Sequence, residues 1–100
     1  MNGIVILTTA PDLKTARRLA RLLVQKKLAA CVNIARGAES FYRWKGRLEN
    51  GRENLLFIKT SVKRFRRVEA LIKNEHPYEL PEVIGLPVSR GSKEYLSWLQ

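Results

Sequence analysis

The chain holds one cysteine, one histidine and one methionine in 100 residues. A lone cysteine, Cys31, closes no internal disulfide, which fits a reducing cytoplasm. No apolar run approaches the roughly 18 residues of a membrane span. The start, Met1-Asn2-Gly3-Ile4, lacks a basic n-region and a cleavage pattern, so no signal peptide is read there. Glycine-rich phosphate loops and Cys-x-x-Cys pairs are also missing. The single histidine has no neighbouring serine or cysteine, so no nucleophile–base pair is legible and an enzyme is not expected. A small enzyme with groups meeting across subunits is the reading that this leaves open. Acid is scarce as well: 19 Lys and Arg face 9 Asp and Glu, a formal charge of +10.

What is present suffices for one domain spanning residues 1–100, since 45% of the residues are apolar. Residues 3–9 read as a short strand apolar on both faces. Pro11-Asp12 opens a helix, with Leu13, Ala16, Leu19, Ala20, Leu23 and Leu28 at helical spacing. Residues 29–35 form a second strand, bent or bulged at Gly37 and resumed over Ser40 to Trp44. Asn50-Gly51, the strongest hairpin dipeptide, predicts the turn into a third strand, Glu53 to Thr60. Thr60-Ser61 offers an N-cap to a second helix with the stripe Val62, Phe65, Val68, Leu71 and Ile72. Val83 to Val88 is a fourth strand, placed at an edge by Pro87. Gly91 precedes a short helix that Trp98 is expected to hold down.

This order, β-α-β-β-α-β plus a C-terminal helix, predicts an α+β ferredoxin-like fold with an antiparallel four-stranded sheet and both main helices on one face. Ile4 and Ile6 then oppose Val5 and Leu7, and Leu56 and Ile58 oppose Leu55 and Phe57. One of these apolar faces lies under the helices. The other is a large exposed patch, which soluble monomers rarely carry, so a homo-oligomer buried through the open sheet face is expected. The positive charge points to an anionic partner: nucleic acid, acidic lipid or a phosphorylated ligand. Its placement on outer helix faces favours a solvated surface instead, with weak, sequence-indifferent nucleic-acid binding at most. An RNA-recognition module shares the strand order, but the third strand lacks the glycine and paired aromatics of that class.

The densest chemistry lies in His76-Pro77-Tyr78-Glu79-Leu80-Pro81-Glu82, where two prolines stiffen a loop of polar groups. His76 with Glu75 is a candidate for a divalent cation. The competing reading has His76 fasten the end of the second helix with a hydrogen bond, where a cation also suits the dipole. Cys31, between Ala30 and Val32, reads as a buried inert thiol. Tyr42 and Trp44 share a strand face that either stacks on a ligand or fills a subunit interface. Lys59 shares a face with Glu53. It either pairs with such a carboxylate or faces an inter-subunit cleft and awaits an anion.

Three segments converge on one family: Ala29-Ala30-Cys31-Val32-Asn33-Ile34, then Tyr42-Arg43-Trp44-Lys45-Gly46 with Lys59-Thr60, then the His76–Glu82 loop. Together with the tail Gly91 to Leu99, they resemble the CutA family of divalent-ion tolerance proteins across essentially the whole chain. The resemblance implies a cytoplasmic homotrimer with sheets inward and helices outward, linked to tolerance of copper and other divalent ions. It also implies ligand clefts between subunits, as in nitrogen-regulatory trimers that the family resembles. Copper-binding members use a first-strand cysteine and paired histidines before the Pro-Tyr. This chain has Thr8 and Glu75-His76 at those places, which removes the soft ligand and implies weak divalent binding at best. Candidates for a cleft that binds a small anionic ligand are Tyr42, Trp44, Glu53, Lys59, Tyr78 and Glu79.

Overall fold

The computed structural model describes residues 2–100, so Met1, first residue of the stretch read as leaderless, lies outside it. Strand β1 (Gly3–Ala10) leads to helix α1 (Leu13–Gln25). The helix starts where Asp12, in extended backbone, accepts a hydrogen bond on its carboxylate from the Thr15 N–H at 2.7 Å. Asp12 is thus the N-cap, and the helix begins one residue past it. It ends three residues before Leu28, where Lys27 takes a left-handed φ of 59°.

Strands β2 (Cys31–Trp44) and β3 (Arg47–Ser61) form one long hairpin. Pairing shifts between Ala35 and Ala38, around Gly37 at φ 73°, so the predicted bulge is present. The predicted turn is not. Asn50 pairs with Phe41 and Gly51 with Ser40, inside the ladder. The chain reverses at Lys45-Gly46, where φ values of 50° and 79° match the mirror-image turn that hairpin twist favours. The cause is register. A reversal at Asn50-Gly51 sets Leu56 and Ile58 against Lys45 and Arg43. The observed register sets them against Ile34 and Val32.

Ser61 precedes a short 3-10 turn (Val62–Arg64) that runs into helix α2 (Phe65–Glu75). No side chain caps either start. The Thr60 hydroxyl instead donates to the Leu28 carbonyl at 2.7 Å, tying β3 to the end of α1. Strand β4 (Ile84–Pro87) pairs only with β1, so Pro87 does lie on an edge. Helix α3 (Lys93–Leu99) is capped by Ser92, whose hydroxyl accepts from the Tyr95 N–H. Leu99 is the residue that holds it down. Trp98 stays 57% exposed, so its expected packing role passes to its neighbour.

The sheet order is β2-β3-β1-β4 with antiparallel neighbours throughout, the ferredoxin-like arrangement. Its helix-covered face supplies Ile4, Ile6, Leu56 and Ile58 to a core shared with Leu19 and Leu23 of α1 and Val68 and Ile72 of α2. Period-2 alternation sends Val5, Leu7, Leu55 and Phe57 to the other face, where no element covers the centre of the sheet. Ile84 and Leu86 extend this face at 50% and 49% exposure.

Candidate functional site

The turn-side half of the long hairpin and the Pro77–Glu82 loop enclose an open cleft of about 730 Å³. Tyr42 and Trp44 come from β2, Glu53 from β3, and Tyr78 and Glu79 from the loop. Five of the six residues named from sequence therefore meet. Thr9, Ser40, Leu55 and Glu82 line the cleft too. Ser40 continues the alternation of Tyr42 and Trp44, and Leu55 that of Glu53, so strand parity was the available signal for both.

Lys59 is the exception. Six residues along a strand separate it from Glu53, a span of about 20 Å. It cannot pair with Glu53 in one chain, and its ammonium lies 5.8 Å from the Tyr95 ring centroid instead. Glu53 takes its hydrogen bond from the Tyr78 hydroxyl at 2.8 Å. Burial works to raise the Glu53 carboxyl. Hydrogen bonds from Ser40, Tyr78 and Thr9 outweigh that and hold it below the ordinary value of 4.5. Burial, and then donation to Glu53, keep the Tyr78 phenol protonated far into the alkaline range. Partial desolvation and the Glu53 charge push the Glu82 carboxyl upward. At the rim, the Lys45 ammonium sits 3.8 Å from Glu79 and 5.7 Å from the Trp44 ring centroid.

His76 and Glu75 turn to different partners. The His76 ring Nε2 lies 2.6 Å from the Thr9 carbonyl, and its Nδ1 accepts from the Tyr78 N–H at 3.1 Å. With Nδ1 accepting from the loop and Nε2 facing the carbonyl, both ring nitrogens are engaged. Fastening of the helix end by hydrogen bonding of His76 is therefore present, through two bonds, one to β1 and one within the loop. Glu75 receives Arg18 at 2.6 Å on its carboxylate and at 2.8 Å on its carbonyl, joining α2 to α1. Among the described residues no three His, Cys, Asp or Glu side chains gather as a metal would need. Thr8 lies fully buried beside this strap, its hydroxyl 3.5 Å from the same Thr9 carbonyl. Cys31 is half-buried, not enclosed, and sits on the open sheet face opposite Lys59.

Fold and cleft together define a ferredoxin-like α+β protein with an uncovered apolar sheet face and an aromatic, carboxylate-bearing cleft at one end of it. Sequence comparison gives the finer assignment. Residues 4–100 match the family model described as CutA1 divalent ion tolerance protein, and the chain belongs to that family. It is 44% identical over 96 residues to the divalent-cation tolerance protein CutA of Thermus thermophilus, covering 96% of this chain and 93% of that one. It is 43% identical over 98 residues to the chloroplastic protein CutA of Arabidopsis thaliana, 54% of whose length is covered. A solved structure of a divalent cation tolerance protein from Thermus thermophilus superposes with a TM-score of 0.96 at 43% identity, covering 98% of this chain and 95% of that chain.

Proposed function

We propose that this chain is a single domain over residues 1–100 that serves divalent-cation tolerance as a cytoplasmic homotrimer. The observation that carries the reading is the uncovered face of Val5, Leu7, Leu55, Phe57, Ile84 and Leu86. Covering apolar surface is worth about 25 cal/mol per Å2, so six large side chains stabilise an assembly by several kcal/mol. Association through the other side is opposed by charge, because Lys14, Arg17, Arg21, Arg66 and Arg67 all stand exposed on the helices. Sheets inward and helices outward is the arrangement that satisfies both.

In this reading the cleft of Tyr42, Trp44, Glu53, Tyr78 and Glu79 is the site for a ligand. Glu53, Glu79 and Glu82 make it suit a cation better than the small anion expected from the net charge. Tolerance does not run through tight chelation by His76 and Glu75, since both are committed inside the chain. No catalytic step is assigned.

The test is growth of a copper-sensitive host lacking its own tolerance protein. Wild type restores growth, His76→Gln retains most of that effect, and Leu7→Asp loses it by blocking assembly. Rescue by Leu7→Asp at wild-type level, from a variant that sediments as a monomer, contradicts the proposal.

A further inference from the structure

Opposite charges, Lys59 and Glu53, stand at the two ends of the open sheet face. Across the four-stranded region this face is formed by Val5, Leu7, Leu55 and Phe57 with their β2 and β4 neighbours, and Lys59 is its one charged side chain. Lys59 is half-buried and has no carboxylate within ion-pair distance among the described residues. Covering this ammonium with a further copy that supplies no counter-ion would be costly. About 20 Å away along β3, at the other end of the same face, lies the cleft of Glu53 and Glu82 beneath Tyr42 and Trp44. Glu53 holds a charge there in a chain of net +10. An ionised carboxylate offers about four acceptor sites, and the Tyr78 hydroxyl fills one of them at 2.8 Å, so a further donor fits.

We infer that Lys59 of one copy completes the cleft of the next, its ammonium pairing with Glu53 against the aromatic wall. The inference rests on the homotrimer proposed above. A donor at one end of the face and an acceptor at the other make a head-to-tail contact, and such a contact closes into a ring when the rotation between copies is that of the proposed trimer. Each chain gives one lysine and receives one, so a ring of three leaves none unpaired. Lys45 shows that the rim accepts an ammonium: its own sits between Glu79 and the Trp44 ring. The apolar side chains between the two ends then exclude water from the pair, which strengthens it and makes its loss expensive. The cleft becomes a composite site, open to an external cation only where Lys59 withdraws.

A double-mutant cycle on the full chain tests this. Lys59→Met and Glu53→Gln are each expected to raise the trimer dissociation constant roughly thirtyfold or more. The double variant is expected to be no weaker than the worse single one. Sites this far apart in one chain add independently, so non-additivity reports contact between copies. Carbodiimide coupling of the unaltered protein gives a second reading that does not depend on variants folding. Lys59 peptides should join Glu53 or Glu82 peptides, with mixed isotope pairs when labelled and unlabelled protein assemble together. A trimer in which the two substitutions add and no such peptide forms overturns the inference and leaves the trimer standing. A wild-type monomer overturns both.

Discussion

His76 shows how two readings of one residue are separated by its partners. A single imidazole beside carboxylates and prolines reads either as a ligand or as a fastener of the helix end, and the fold uses it as a strap from the end of α2 to β1. The loop's stiffness and its polar groups were legible in the sequence. The partner of the ring was not, because Thr9 is 67 residues away and contributes a backbone carbonyl that no side-chain pattern marks. His76→Ala leaves that carbonyl and the Tyr78 N–H unpaired, so it should cost about 2–3 kcal/mol in denaturant unfolding. Calorimetry with copper(II) should change little, since the ring has no free nitrogen; complete loss of a strong copper isotherm contradicts this. Tyr78→Phe should cost about 1.5 kcal/mol at neutral pH. It also has a pH signature. The Glu53 carboxyl lies below its ordinary value of 4.5, so it stabilises the fold above that pH, and the stabilisation is lost as pH falls through the folded value. Without the phenol one of the lowering hydrogen bonds is gone, so the carboxyl rises and protonates sooner. Acid unfolding of Tyr78→Phe should therefore begin at a higher pH than that of wild type, followed by circular dichroism.

The long hairpin shows that local turn chemistry yields to register at the scale of elements. Asn50-Gly51 is the better turn dipeptide, but a reversal there puts charged residues opposite the core strand. Lys45-Gly46 is the one that keeps Val32 and Ile34 beside Ile58 and Leu56. The alternation that fixes this register was already visible in Leu55-Leu56-Phe57-Ile58; the weight it carries against a turn signal was not. Two glycine substitutions separate the accounts. Gly46 has φ 79°, so Gly46→Ala forces an L-residue into left-handed backbone and should lower stability by about 1–2 kcal/mol. Gly51 is extended within the ladder, and a Cβ there meets nothing within 4 Å. Gly51→Ala should be neutral or stabilise by about 0.5 kcal/mol. Thermal unfolding of both variants decides, and the reverse ranking restores the turn to Asn50-Gly51. Strand order, the bulge at Gly37 and the edge position of Pro87 followed from patterns that no longer-range constraint opposed.

For the whole molecule, the two sides of the sheet divide the work. The helix side carries the positive charge into solvent, and the open side carries the apolar surface. Nucleic-acid affinity should accordingly be weak, indifferent to sequence and steeply reduced by salt, because no exposed aromatics are interleaved with the helix arginines. Filter binding with unrelated duplexes should rank them equally; selective retention of one at ~0.3 M salt contradicts that. The open face was legible as a surplus of apolar residues on both sides of β1 and β3. The cleft was legible as a set of residues but not as an acidic one, since Glu82 joins Glu53 only through the path of the loop. The claim on which the rest depends is that this face is covered by further copies of the same chain. Sedimentation equilibrium at micromolar concentration measures it directly. The account predicts a single species of about three times the 11.5 kDa chain mass. A species at the chain mass itself, with Val5, Leu7 and Phe57 left to water, contradicts it.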